Sequence, residues 1–205
     1  MTRELVLALD LGTTGVRALV VGADGAVRGR AWRALATRFP APGRVEQDPE
    51  DWWRQSVAVL REALAAAGAS APELAGIGVV TQRATAVAWE AGGRALAPAI
   101  GWQDQRTRSR AAELQARGIS VPTMASATKL EWLLQTEPAL RAAARAGRLC
   151  LGTPDAFLGD RLTGGGAVAT DPGQASCTGL WDLRARDWHA GALALFGIER
   201  AWLPS

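Results

Sequence analysis

Residues 7–17 of the chain read LALDLGTTGVR, and this stretch decides the fold. An apolar run ends at Asp10, and a second apolar run, over 16–21, follows a short segment of glycine and threonine. Apolar runs of this length that are bounded by turn residues are typical of buried strands. We therefore predict a strand over 4–10, a loop over 11–15 and a second strand over 16–21.

The residues after this stretch predict further strands and a helix. Asp24-Gly25 is a hairpin-turn signal and predicts a third, antiparallel strand over 26–36. A helix is predicted from Asp48-Pro49 to Gly68, because Asp is a common N-cap, Pro suits the first helical position and Gly commonly follows the last turn. A fourth strand is predicted over 74–80. Three antiparallel strands followed by helix and strand indicate an α/β fold with a mixed sheet.

The sequence after residue 84 predicts short strands and helices. The predicted strands are 85–89, 149–151 and 180–183, and the predicted helices are 107–117, 128–135, 138–146, 154–162 and 188–196. This order differs from the strict alternation of a doubly wound parallel fold.

Composition excludes several classes of function. The 205 residues are 48% hydrophobic and 21% charged with a net charge of +3, which is typical of a globular chain. The arginines are scattered, so no basic stripe indicates nucleic acid, and no apolar run reaches membrane-spanning length. Cys150 and Cys177 are too few for a disulfide framework, so we expect reduced thiols in a cytoplasmic protein.

The loop after the first strand has the chemistry of a phosphate site. Gly12 and the glycine three residues later allow a sharp turn in which backbone N–H groups gather around an anion. Thr13 and Thr14 add hydroxyl donors, and Arg17 can neutralise phosphate charge. Asp10, at the end of the strand, can hold Mg²⁺ directly or through water. The alternative is a polar hairpin turn, because neither a G-x-G-x-x-G nor a P-loop pattern is present.

Seven segments resemble, in the same order, the FGGY carbohydrate kinases. They are LALDLGTTGVR (7–17), VEQDPEDWW (45–53), GIGVVTQR (76–83), PAIGWQDQRT (98–107), SATKL (126–130), LGTPD (151–155) and TGLWD (178–182). The resemblance implies the ribonuclease-H-like, actin-like ATPase fold and phosphorylation of a sugar or polyol hydroxyl with ATP and Mg²⁺. It also implies that 1–205 form the N-terminal domain only. The catalytic-base Asp and the C-terminal nucleotide-binding domain are expected downstream, so no catalytic residue is assigned here.

Candidate substrate residues follow the fourth strand. Gln82 and Arg83 lie at its C-terminal end, where α/β sheets present groups to ligands, and a guanidinium suits vicinal hydroxyls. Glycerol-kinase-like members of the family have an Arg-Glu pair at this place that binds the polyol. Here Arg83 is followed by Ala84, so the acceptor carboxylate is missing and we do not expect glycerol to be preferred.

A second group of candidates lies in the PAIGWQDQRT segment. Trp102 matches an aromatic residue that lines the polyol site in glycerol-kinase-like members, although a tryptophan is also a common core residue. Asp104 either binds hydroxyls or caps the helix that follows. Those members also place a tyrosine near the SATKL segment, and here Thr123 or Met124 lies nearby.

Two other functions are compatible with parts of the sequence. A nuclease of ribonuclease-H type would need converging carboxylates for two metals. Asp10, Glu46 and Asp48 are available, but that chemistry leaves the glycine–threonine loop unexplained. A truncated or degenerate chain would bind a sugar or a partner without catalysis, and the genomic sequence beyond Ser205 would distinguish it from a fragment of an active kinase. Homo-oligomerisation is left open.

Overall fold

The computed structural model describes residues 4–205, and these form two compact units. The first unit comprises 4–36 and 50–82, and the second comprises 37–49 and 83–205. That residues 1–205 form a single domain stays a prediction.

Runs of strands and runs of helices follow one another along residues 4–205. The strands are β1 (Leu5–Leu11), β2 (Gly15–Gly22), β3 (Val27–Ala34), β4 (Glu46–Gln47), β5 (Leu74–Thr81), β6 (Val87–Glu90), β7 (Ala99–Ile100), β8 (Leu149–Gly152), β9 (Trp181–Asp182) and β10 (Asp187–Trp188). The α-helices are α1 (Pro49–Ala66), α2 (Arg108–Ala116), α3 (Ser126–Thr136), α4 (Pro138–Arg145), α5 (Pro154–Leu162), α6 (Pro172–Ser176) and α7 (Ala190–Phe196). Two short 3₁₀ helices are Ala71–Glu73 and Arg200–Trp202.

The first unit is built on a four-stranded mixed sheet. Its strand order is β3-β2-β1-β5, in which β1 pairs antiparallel with β2 and parallel with β5, and β2 pairs antiparallel with β3. The register places Asp10 opposite Arg17 on one side and opposite Val80 on the other. The predicted mixed sheet with three antiparallel strands first is therefore confirmed.

Helix α1 covers one face of this sheet. Leu7, Val20 and Gly29 are paired across the strands and so share a face. A Cβ atom added at Gly29 would lie 2.3 Å from the carbonyl oxygen of Ala63 and 2.6 Å from the amide nitrogen of Ala67. The helix backbone therefore approaches β3 so closely that only glycine fits. On the opposite face, Val80 is 65% exposed.

We predict that Gly29→Ala lowers the free energy of unfolding of the chain by about 1–3 kcal/mol, because the added methyl group meets helix backbone. Gly78→Ala is the matched control: Gly78 lies in β5 of the same sheet, and nothing lies within 4 Å of an added Cβ atom. There we expect no loss, or a gain of up to about 1 kcal/mol. Urea unfolding followed by circular dichroism measures both variants, and equal losses would contradict the close approach of α1.

In the second unit, helices pack around three two-stranded ladders. Strand β4 pairs with β7, β6 with β8, and β9 with β10, all antiparallel. Apolar side chains from α3, α4, α7 and these strands form one buried cluster that includes Leu130, Leu151 and Phe196. The β4–β7 pairing matters for the site, because it fixes the chain just before Trp102 against the segment that contains Glu46.

Several short elements differ from the predictions. Trp188 was predicted in the last helix but pairs with Trp181 in β10, and the helix begins at Ala190. Strands β4, β7 and β10 and helix α6 were not predicted. The two cysteines are free thiols. None of the helices formed by residues 4–205 is both long and apolar enough to cross a membrane.

Candidate phosphate and substrate sites

The glycine–threonine loop is a tight connection between β1 and β2. The amide of Gly12 donates to the carbonyl of Gly15 at 2.9 Å, and the amide of Leu35 donates to the carbonyl of Thr14 at 3.0 Å. The hydroxyl of Thr13 lies 3.5 Å from the side-chain oxygen of Gln82. The first unit thus brings together the predicted residues of the loop and Gln82, which the sequence separates by about seventy positions.

Gly15 is required for a reason other than the one predicted. Neither Gly12 nor Gly15 has a positive φ angle, so the turn itself does not demand glycine at either position. A Cβ atom at Gly15 would instead lie 2.5 Å from Nε1 of Trp32 and 2.8 Å from the carbonyl oxygen of Arg33. Gly15 therefore lets β3 pack directly against the end of the loop.

Asp10 and Arg17 form an ion pair beside the loop. The Nε atom of Arg17 lies 3.1 Å from Oδ2 of Asp10, and the two side chains are 59% and 40% exposed. Both lie on the face of the sheet opposite α1, because they alternate with buried Leu9, Leu11 and Val16. The pair presents an accessible carboxylate and an accessible guanidinium next to the loop.

This arrangement fits a magnesium ion that is shared with a bound phosphate. Mg²⁺ in kinase sites is usually held by one or two carboxylates together with substrate phosphates, rather than by a full set of protein ligands. Asp10 supplies one exposed carboxylate of this kind. Among residues 4–205, no three His, Cys, Asp or Glu side chains cluster closely enough to hold a metal by themselves.

The segment after β5 contains a strained residue. Arg83 is exposed, whereas Ala84 is buried and has a φ of +60°. A left-handed conformation costs a residue with a Cβ atom roughly 1–2 kcal/mol, and such residues concentrate at functional sites. The strain at Ala84 supports a functional role for this segment, which the sequence predicted from Gln82 and Arg83.

Trp102 and Asp104 lie on a loop between β7 and α2, and they differ in accessibility. Trp102 is half-buried. Asp104 is fully buried. Its Oδ1 accepts hydrogen bonds from the backbone amide and Nε of Arg106 at 2.8 and 2.9 Å. Its Oδ2 accepts from the amide of Val45 at 2.6 Å and from Nη2 of Arg106 at 2.8 Å.

The surroundings of Asp104 keep it ionised. Burial tends to raise the pKa of this carboxyl, but the hydrogen bonds from Arg106 and Val45 outweigh that effect and hold the pKa below its ordinary value. Arg106 also donates to Glu46 at 2.7 Å and stacks over Trp132, 4.7 Å from the ring centroid. With four hydrogen bonds already accepted, Asp104 is suited to shaping the loop around Trp102 rather than to binding a sugar directly.

Lys129 lies in the SATKL segment, and the sequence pattern does not predict its burial. Its side chain is fully buried in α3, and Nζ donates to the carbonyls of Met124 at 2.7 Å and Trp102 at 3.4 Å. Burial, partly offset by the negative charge of Asp104 and reinforced by Arg106, lowers the pKa of Lys129 to about 8. The available signal was that Lys129 is the chain's single lysine.

Comparison with known proteins identifies the family. The N-terminal domain of the FGGY family of carbohydrate kinases matches residues 5–205. The chain belongs to the FGGY family. The resemblance inferred from the seven segments is therefore confirmed.

Relatives of this FGGY chain include bacterial glycerol kinases. The glycerol kinase of Bordetella pertussis is 45% identical over 212 residues, and the match covers 98% of this chain and 42% of that enzyme. The glycerol kinase of Aromatoleum aromaticum is 44% identical, with 97% and 42% covered. This FGGY chain thus spans less than half the length of these curated relatives.

Solved structures of FGGY kinases share its fold. A Plasmodium falciparum glycerol kinase with ADP superposes with a TM-score of 0.88 at 23% identity, covering 98% of this chain and 42% of that one. A xylulose kinase from Rhodospirillum rubrum superposes with a TM-score of 0.85 at 28% identity and the same coverage. The predicted actin-like ATPase fold is therefore confirmed.

Proposed function

We propose that this chain is the N-terminal, phosphate- and substrate-side part of an ATP-dependent carbohydrate kinase. The parent enzyme would transfer the γ-phosphate of ATP to a hydroxyl of a sugar or polyol. The observation that carries the proposal is the Gly-Thr-Thr-Gly loop flanked by the accessible Asp10–Arg17 pair, in a chain of the FGGY family. The kinases among its relatives support the class of acceptor.

The residues of the first unit are assigned to the phosphate. The threonine hydroxyls of the loop and backbone amides other than that of Gly12, which donates to Gly15, would donate to phosphate oxygens. Arg17 would neutralise negative charge on the transferred group. Asp10 would hold Mg²⁺, which when bound supplies charge neutralisation at the phosphate oxygens. Electrostatic stabilisation and positioning are the main contributions expected, because phosphoryl transfer requires little covalent chemistry from the protein.

The acceptor is assigned to the segments that contain Arg83 and Trp102. The guanidinium of exposed Arg83 would donate to hydroxyl groups, and the indole of half-buried Trp102 would pack against the C–H face of the sugar. Gln82, next to Arg83 in the chain, would add a polar contact. Asp104 would contribute through the shape of the Trp102 loop. The general base that accepts the hydroxyl proton is not assigned to any residue of this chain.

Ala84 bears on the choice of acceptor. Although the relatives quoted above are glycerol kinases, Ala84 has no carboxylate to accept hydrogen bonds from a polyol. A buried hydroxyl left without a partner costs roughly 1–3 kcal/mol. We therefore infer that the parent enzyme prefers a sugar or polyol other than glycerol.

A coupled ADP-release assay tests the proposal with the full-length parent enzyme and with the 205-residue chain. We expect the parent to phosphorylate at least one pentulose or polyol with a higher kcat/KM than glycerol. The chain alone should show no turnover, because loss of a general base by itself costs about 10²–10⁴-fold. A parent without activity on any acceptor favours the non-catalytic binding function. A preference for glycerol contradicts the interpretation of Ala84, and turnover by the chain alone contradicts the assignment of the base.

A further inference from the structure

Burying the ammonium group of Lys129 has an unfavourable free energy. It is the chain's single lysine, and its side chain is among the largest that are fully buried. Removing an ammonium group from water is unfavourable unless it is compensated by hydrogen bonds or opposite charge. An apolar side chain would fill the same space in α3 without that cost. The hydrogen bonds of Nζ must therefore have a role that the packing of an apolar side chain would not fulfil.

Those contacts connect two separate segments. The carbonyl of Met124, 2.7 Å from Nζ, lies in the turn just before α3, and the carbonyl of Trp102, 3.4 Å away, lies in the loop before α2. Asp104 attracts the ammonium electrostatically, but its four hydrogen bonds come from Val45 and Arg106. Lys129 therefore bridges two backbone carbonyls across 22 positions of sequence.

One of the two bridged segments, the loop of Trp102, is assigned to the acceptor. Trp102 carries the indole expected to pack on the sugar, and the other segment, with Thr123 and Met124, lies near the place where the resemblance implies a tyrosine in glycerol-kinase-like members. We propose that Lys129 is a positioning residue of the acceptor site, whose ammonium holds the Trp102 and Met124 segments at a fixed separation. This inference rests on the proposed function, because it takes the acceptor to bind at the Trp102 segment.

The first experiment follows Trp102 in the 205-residue chain itself. The chain is labelled with 5-fluorotryptophan, and the ¹⁹F resonance of Trp102 is assigned with Trp102→Phe. We expect Lys129→Met to shift or broaden the Trp102 resonance and to leave that of Trp89, whose indole donates to Asp160, unchanged. An unchanged Trp102 resonance in a folded Lys129→Met chain overturns the proposal.

The control is Glu131→Gln, which also removes a mostly buried charge from α3. Glu131 accepts two hydrogen bonds from Arg110 at 2.9 Å. We expect this variant to lose stability but to leave the Trp102 resonance in place. If both variants perturb Trp102 equally, Lys129 acts only through the general stability of α3 and the proposal fails. If Lys129→Met does not fold, Lys129→Leu, which also removes the donor, serves the same comparison.

Kinetics of the full-length parent enzyme then test the link to the acceptor. Lys129→Met should raise KM for the preferred acceptor by about tenfold or more, the equivalent of one lost interaction, and leave KM for ATP within about twofold. Glu131→Gln should leave both constants within about twofold. An unchanged acceptor KM in Lys129→Met overturns the positioning role while the proposed function stands. A wild-type parent without turnover on any acceptor overturns the proposed function and the acceptor-site role together.

Discussion

Asp104→Ala is expected to lower the free energy of unfolding of the chain by about 3–5 kcal/mol, because it leaves the buried Arg106 without its main partner. The side chain of Arg106 is 4% exposed, and Arg106 donates to Asp104 from its backbone amide, Nε and Nη2. Removing the carboxylate also leaves the amide of Val45 without its hydrogen-bond acceptor. Glu46 remains as a second carboxylate for Arg106, but it reaches only one of the nitrogens.

The matched control is Glu113→Ala. Glu113 also forms ion pairs with arginine, but its side chain is 54% exposed. Exposed pairs contribute about 0–1 kcal/mol, so this variant should unfold within about 1 kcal/mol of the wild-type chain. Urea unfolding of the two variants measures the difference. Losses of similar size would show that the Asp104 network is no more important to stability than a surface ion pair.

The same network predicts how acid acts on the chain. The pKa of Asp104 is held below its ordinary value of 3.8 in the folded state, so the unfolded chain binds the proton more readily. The stabilisation by Asp104 is therefore complete above the unfolded pKa and is lost as the pH falls through the folded pKa. The difference in stability between the wild-type and Asp104→Ala chains should shrink below pH 3.8.

The first unit could be predicted well because its signals are local. The apolar runs on either side of the Gly-Thr-Thr-Gly loop, the Asp24-Gly25 turn and the Asp48-Pro49 helix start each involve a few consecutive residues. They correspond to β1, β2, the hairpin into β3 and the start of α1 at Pro49. Local geometry determined these elements, and tertiary packing did not override them.

The elements that were missed depend on distant partners. Strands β4 and β7 have two residues each and exist because Glu46 pairs with Ile100 and Gln47 with Ala99. Two residues carry no periodicity, so no pattern in the sequence distinguishes them from loop. Helix α6 has an Asp171-Pro172 start like that of α1, and Asp171 accepts from two amides, but it is too short to show an apolar stripe.

In the candidate site, too, residues with local signals were predicted and residues that depend on distant partners were not. Residue type and strand ends were enough to propose Asp10, Arg17 and Arg83, because these groups are exposed and their chemistry does not depend on burial. Asp104 was also proposed, as a hydroxyl ligand or a helix cap, but its buried ion pair with Arg106 was not predicted, and neither was a role for Lys129. Their roles depend on full burial and on partners up to 59 positions away, which only the folded chain defines.

Asp10→Asn is expected to reduce the turnover of the full-length parent enzyme by about 10²-fold or more at saturating Mg·ATP, because preorganised charge at the phosphate is usually the largest contribution to catalysis. The substitution keeps the shape of the side chain and an oxygen that can accept from Arg17. The stability of the 205-residue chain should change by less than about 1 kcal/mol, since the Asp10–Arg17 pair is exposed. A loss of turnover without a loss of stability would separate a metal-holding role from a structural one.

Asp24→Asn is the matched control for Asp10→Asn. Asp24 is also an exposed carboxylate in the first unit, and it pairs with Arg28 at 2.6 Å while accepting from the amide of Ala26. It lies in the hairpin turn between β2 and β3, so removing its charge should leave turnover within about twofold. If Asp10→Asn retains most of the parent's activity, or loses no more than Asp24→Asn does, Asp10 only orders the end of β1 through Arg17. The accessible carboxylate beside the loop would then have no part in holding Mg²⁺, and the phosphate would depend on the loop and Arg17 alone.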